Sequence, residues 1–118
     1  MSQSLQRLSV FPAFFRVRGK NVAVFGNGDE AYAKARLIAN TDALIIAYAD
    51  DPQADYAAWL AEHKIEPIRE SFATEQVAGA TLVFAATGDQ ALDQTIVIAA
   101  RAHGIPSNAV DQPDHCDF

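Results

Sequence analysis

Short apolar and β-branched runs alternate along this chain with alanine-rich stretches whose apolar positions recur at helical spacing. The runs are Asn21–Phe25 (NVAVF), Leu44–Tyr48 (LIIAY), Ile65–Arg69 (IEPIR), Leu82–Ala86 (LVFAA) and Ser107–Val110 (SNAV). Each has the length of a strand rather than a helix. Between them Glu30–Asn40, Asp55–His63 and Asp89–His103 read as helices, and Thr74–Val77 as a short helical turn. Strands alternating with helices argue βαβ units around a parallel sheet. The pattern therefore predicts an α/β chain: a doubly wound parallel sheet of about five strands in a single domain, with ligands outside the carboxyl ends of the strands.

Punctuation residues refine this picture. Pro67 lies inside the third run and demotes it to an edge strand, because proline cannot donate to a ladder. Asp89 stands where the helix dipole favours negative charge, and Gly104-Ile105-Pro106 stops the last helix. His63 and His103 close helices and are expected to meet terminal carbonyls. Leu8–Val17 (LSVFPAFFRV) is apolar and aromatic without clear periodicity, and Arg18-Gly19-Lys20 turns into the first strand.

With 118 residues, half of them hydrophobic, the chain can bury one core. No apolar run approaches the roughly 20 residues of a membrane span, and no charged-then-apolar leader opens the sequence. Nine Lys and Arg against fifteen Asp and Glu leave a net charge of −6, which argues against nucleic acid as a partner. A single cysteine, Cys116, excludes an intrachain disulfide and fits a reducing cytoplasm. His115-Cys116-Asp117 resembles a ligand cluster, but adjacent residues seldom converge on one ion, so no metal site is assigned.

The chemistry-bearing stretch is Gly26-Asn27-Gly28-Asp29-Glu30-Ala31, a G-x-G-x-x-A pattern between the first strand and the first helix. Gly26 permits the tight turn, Gly28 lets a pyrophosphate approach the backbone, and small Ala31 allows close helix–strand packing. Helix N-terminal N–H groups would face the phosphates. A bare structural turn carries glycines too; an acid at the right distance favours a Rossmann-like dinucleotide site. Asp50 stands 24 positions after Gly26, near the spacing of about 20 for a ribose-binding carboxylate, with Asp51 beside it. A carboxylate there favours NAD over NADP; the plainer reading of both acids is a solvated loop before Pro52. Asp29 and Glu30 complement the helix dipole, and their amides remain available to a cofactor. At the end of the fourth run, Ala85-Ala86-Thr87-Gly88-Asp89 leaves room for a nicotinamide ribose and offers the Thr87 hydroxyl, or is simply a strand end before a capped helix. Asp111, after the fifth run, is a candidate proton acceptor at the carboxyl edge, or a turn residue before Pro113.

These residues, in this order, resemble the NAD-binding domain of the siroheme synthase family, the precorrin-2 dehydrogenase/sirohydrochlorin ferrochelatases, from about Phe11 to Phe118. The landmarks are Gly26–Ala31 with Lys34-Ala35-Arg36-Leu37, then Ala85-Ala86-Thr87, Asn108-Ala109-Val110-Asp111 and Cys116-Asp117-Phe118. Where the family usually shows G-G-G-[DE]-V-A-x-[RK]-K-A-x-x-L, this chain has Asn27, Glu30 and Ala33. Where it shows A-A-T-[DN]-D-x-x-x-N, the chain has Gly88 and Asp93. The resemblance implies NAD-dependent oxidation of precorrin-2 to sirohydrochlorin, followed by insertion of Fe²⁺. It implies a key carboxylate at Asp111 in both steps, and cofactor contacts at Gly26, Asn27, Gly28, Asp29, Glu30, Asp50, Asp51 and Thr87.

The same resemblance implies a homodimer for the full protein. The family continues past the position of Phe118 into a dimerisation segment and a helical domain, and in many members a methyltransferase domain. The basic side chains needed by a polycarboxylate macrocycle are expected largely from such sequence, since this stretch is acidic. The expectation is thus an excised domain or shortened homologue that binds NAD weakly and turns over little precorrin-2. A different reading is a nucleotide-sensing regulatory domain without catalysis, which should tolerate replacement of Asp111. An interaction domain that binds no nucleotide is a third.

Overall fold

Val22 and Val24 turn to one side of the first strand and Ala23 and Phe25 to the other, and all four are buried. This period of two, with both faces apolar, requires cover on both sides of the sheet. A computed structural model supplies that arrangement for residues 7–118. The absence of a leader, expected from the sequence, bears partly on residues 1–6, which lie outside the described residues. Element order is β1 (Asn21–Phe25), α1 (Asp29–Ile38), β2 (Leu44–Tyr48), α2 (Ala54–Glu62), a 3₁₀ turn (Thr74–Val77), β3 (Ala80–Ala85), α3 (Gln90–Ala102), β4 (Ser107–Ala109) and a 3₁₀ turn (Pro113–His115).

The sheet has the order β2-β1-β3-β4, with all pairs parallel. Helices α1 and α2 pack on the Val22, Val24, Leu82 and Phe84 side through Ala31, Ala35, Tyr56 and Leu60. Helix α3 and the Thr74–Val77 turn cover Ala23, Phe25, Val83 and Ala85 through Ile96, Val97, Ala100 and Val77. The chain is therefore Rossmann-like and doubly wound, as expected. Among the described residues, no helix is long and apolar enough to cross a membrane.

The strand count is the correction. Ile65–Arg69 does not form a fifth strand; only Ile68 bridges Tyr48. Ile68 donates to the Ala47 oxygen at 2.8 Å and accepts from the Ala49 N–H at 3.0 Å. Both its backbone groups thus face β2, and Pro67, without a donor, faces outward. The chain bends at Glu70, so the ladder ends after one rung. Other boundaries shift by one or two residues. Asp89 becomes the cap of α3 rather than its first residue, accepting from the N–H groups of Ala91 and Leu92 at 3.0 and 3.2 Å. His63 and His103 meet the Trp59 and Ala99 carbonyls through Nδ1, each at 2.9 Å, as their positions at helix ends predicted.

Candidate functional site

The carboxyl ends of β1 and β3 come close enough to dictate glycine. Gly26 donates to the Tyr48 oxygen at 3.1 Å, and Ala86 donates to the Phe25 oxygen at 2.8 Å. A Cβ on Gly26 would lie 2.0 Å from the Ala86 oxygen, and its φ of +143° is one that side-chain-bearing residues rarely adopt. Ala31 closes the third side, 3.0 Å from that hypothetical Cβ, and is fully buried. Gly28 is different. Its φ is −103°, a Cβ there would meet nothing within 4 Å, and it caps α1 without a side chain. The first turn of α1 therefore opens toward free space, whereas α3 is closed by the carboxylate of Asp89.

Beside this bend is a cavity of about 480 Å³, lined among others by Gly26, Asn27, Tyr48, Asp50, Phe72 and Thr87. That volume falls within the usual range for small-molecule sites. Its wall is aromatic: Phe25 and Tyr48 stack with centroids 4.5 Å apart, and Phe72 meets Phe25 edge-on at 5.5 Å. Tyr48 donates its hydroxyl to the Gln76 backbone oxygen at 3.0 Å. Burial, and then the negative charge of Glu70, push its ionisation upward, so it is a neutral donor.

Asp50 stands at the end of β2 as the spacing predicted. Asn27 Nδ2 donates to its carboxylate at 2.7 Å, and Asn27 Oδ1 accepts the Asp51 N–H at 3.1 Å. The Asn27 backbone oxygen accepts from Gln53 N–H at 2.9 Å, and Gln53 Nε2 donates to Asp29 at 2.5 Å. Arg69 Nη1 donates to the Asp50 backbone oxygen at 3.1 Å. Gln53, Arg69 and the Tyr48–Phe72 wall escaped the sequence reading. They reach the glycine bend only through long-range folding, and no local spacing announces them.

Thr87 lines the cavity, but its hydroxyl is engaged within the loop. It donates to Asp93 at 2.6 Å and accepts from the Asp89 N–H at 3.1 Å, while the Thr87 N–H also donates to Asp93 at 3.0 Å. The Thr87 hydroxyl thus shapes the turn at the cavity's edge. Asp93, only 3% exposed, stands where the resembled family pattern carries asparagine and anchors this turn. Gly88 has a φ of +81°, a left-handed position that asparagine and aspartate also tolerate, which fits the [DN] usual there in the resembled family.

Asp111 sits at the same carboxyl edge but not in the aromatic-walled cavity. It borders a small one of about 180 Å³ with Glu30, Gly88, Asp93 and Gln112, and on its other side one of about 540 Å³ with Lys34, Asn108 and Phe118. It is exposed with φ +60°, so it also makes the turn that the plainer reading foresaw. Asn27 and Thr87 border the aromatic-walled cavity, Glu30 and Gly88 the one of about 180 Å³, so the glycine bend and the Thr87–Gly88 turn form the ridge between them. Asp29, Gly28 and Asp51 line neither. His115, Cys116 and Asp117 do not converge: the thiol donates to the Ala109 and Gln112 oxygens at 3.2 and 3.3 Å, and Asp117 bonds Arg101 and Ser107.

Residues 13–118 match the model of a protein family described as "Putative NAD(P)-binding". The siroheme synthase of Nitrosomonas eutropha is 35% identical over 112 residues, covering 94% of this chain and 24% of that protein. That of Psychrobacter arcticus is 34% identical over 111 residues, covering 94% of this chain and 20% of its own length. A solved structure of SirC, precorrin-2 dehydrogenase, shares the fold with a TM-score of 0.65 at 22% identity, over 74% of this chain and 44% of that one. The chain thus spans about a quarter or less of the curated relatives it matches.

Proposed function

This chain belongs to the NAD(P)-binding family whose model matches residues 13–118, and from that premise we propose that it holds NAD, rather than NADP, across the Gly26–Ala31 bend. The observation that carries the reading is the pairing of an unobstructed Gly28 with a carboxylate braced at the end of β2. The open first turn of α1 would hold the pyrophosphate through N–H groups, and the adenosine end would enter the aromatic-walled cavity. Asp50 would accept from the ribose hydroxyls while repelling a 2′-phosphate.

The substrate proposed is precorrin-2, oxidised to sirohydrochlorin, with Fe²⁺ inserted afterwards as a second substrate. Support comes from the siroheme synthase relatives, which are several times longer. The proposal therefore concerns a protein in which this domain is joined to further sequence and dimerises. Bound NAD⁺ supplies the hydride acceptor. Asp111, at the edge of the smaller cavity, would take the proton that leaves the substrate with the hydride. Glu30 and Asp93 border the same cavity and make it a poor home for further negative charge; Lys34, in the adjoining cavity that Asp111 also lines, is one basic group for the macrocycle's carboxylates, and further ones would come from elsewhere. Cys116, a half-buried free thiol, suits a reducing cytoplasm.

The test is a titration of NAD⁺ followed by thermal unfolding. At about 100 times Kd, a native-state ligand stabilises by about 2.7 kcal/mol. No shift with NAD⁺, or an equal one with Gly28→Val, would overturn the reading. Replacing Asp111 by Ala in a siroheme-forming protein that carries this domain should abolish turnover without touching NAD binding. Retained turnover would remove Asp111 from the chemistry.

A further inference from the structure

Arg69 follows the single rung made by Ile68 and holds the backbone of Asp50 from outside the sheet. Among the described residues the ion pairs are Arg18–Asp42 and Arg101–Asp117, and neither involves Arg69. Its guanidinium is bonded at one nitrogen to the Asp50 carbonyl and is otherwise exposed, so further donors remain available. The carboxylate of the same residue accepts from Asn27 Nδ2. One residue, Asp50, thus has a cation at its backbone and an anion in its side chain, with acidic Asp51 following Asp50, Glu70 following Arg69, and no other Lys or Arg from residue 37 to residue 100 except Lys64.

From this juxtaposition we infer that Arg69 determines how the site treats a 2′-phosphate on the adenosine ribose, acting with opposite sign to Asp50. The inference rests on the nucleotide reading above. The Asp50 carboxylate accepts from a 2′-hydroxyl and repels a phosphate. The Arg69 fork offers paired donors that match phosphate geometry. Discrimination between the two cofactors is therefore a difference between two opposed charges, and removing either shifts it in a defined direction.

The probes are 5′-AMP and 2′,5′-ADP, titrated calorimetrically into the chain and its variants, with the ratio of their dissociation constants as readout. Arg69→Gln keeps an amide able to donate to the Asp50 oxygen while removing the charge. It should raise the ratio of 2′,5′-ADP to 5′-AMP constants by about tenfold, the size of one charge-assisted hydrogen bond. Asp50→Ser should lower that ratio by a similar factor, and the double variant should return near the starting value. An Arg69 that only steadies the loop would weaken both probes alike; an unchanged ratio in Arg69→Gln and Arg69→Ala, with 5′-AMP still bound, overturns this inference alone. Failure of the chain to bind either probe overturns it together with the nucleotide reading.

Discussion

Asn27 and Asp50, 23 residues apart, are joined side chain to side chain at 2.7 Å. Asn27 stands where the resembled family pattern carries a glycine, and it converts a flexible position into a brace. It also accepts from the Asp51 N–H and, through its carbonyl, from the Gln53 N–H. Restoring the glycine removes the side-chain bonds and frees the acid at the end of β2. Asn27→Gly should lower stability by about 1 kcal/mol and weaken NAD binding several-fold, as read by urea unfolding and calorimetry. Unchanged affinity would show that the brace does not orient Asp50 for a ligand.

The two glycines of the bend should separate fold from function. Gly26→Ala forces a Cβ to within 2.0 Å of a backbone oxygen at a strained φ. It should cost about 3 kcal/mol or more, visible as a large drop in the urea midpoint. Gly28→Ala meets nothing within 4 Å and has an ordinary φ. Its stability should stay within about 1 kcal/mol while NAD binding falls at least tenfold, provided the pyrophosphate contacts that backbone.

Asp93 accepts both the N–H and the hydroxyl of Thr87 from a buried position. Asp93→Ala leaves the Thr87 N–H without its acceptor and should destabilise by about 1–3 kcal/mol. Asp93→Asn restores the residue usual in the resembled pattern and keeps an acceptor oxygen, so its unfolding curve should lie close to that of the parent. Equal losses in both variants would mean that the charge, not the hydrogen bond, holds the turn.

Acid should weaken the anchoring of the carboxyl-terminal end. Burial works against ionisation of Asp117, but hydrogen bonds from Arg101 and from the Ser107 N–H and hydroxyl, with the Arg101 charge, outweigh it and hold the carboxyl below its ordinary 3.8. A folded-state value below the unfolded one gives stability that is present above about pH 3.8 and lost as pH falls through the lower folded value. The stability gap between the chain and Asp117→Asn should therefore be full at neutral pH and close below about pH 3.8. A gap independent of pH would remove the ionised carboxylate from the explanation.

Much of the architecture was legible because its causes are local or periodic. The two-sided alternation in Asn21–Phe25 requires burial on both faces, and Asp89, His63 and His103 carry their capping roles in side-chain chemistry that acts within one turn. Ile65–Arg69 was misread as a strand because length and apolar content do not reveal how many rungs a partner will accept. Only the fold shows Ile68 pairing alone. At the site, Gly26, Asn27 and Asp50 follow from motif spacing and do meet. Gln53, Arg69 and Phe72 act across long loops, where spacing carries no distance information. Thr87 lines the cavity as expected, and the sequence does not show that its hydroxyl also bonds Asp93, six residues later on the next helix.

The lone rung at Ile68 has a consequence for how this molecule behaves in a crowd. A parallel sheet that stopped at β2 would present a row of free donors and acceptors to any passing chain. Here the outermost position beside it is a proline with no hydrogen to offer, flanked by Glu66 and, one step further on, Arg69 and Glu70. Lateral stacking of one molecule onto the next is discouraged at that border by both missing donors and charge.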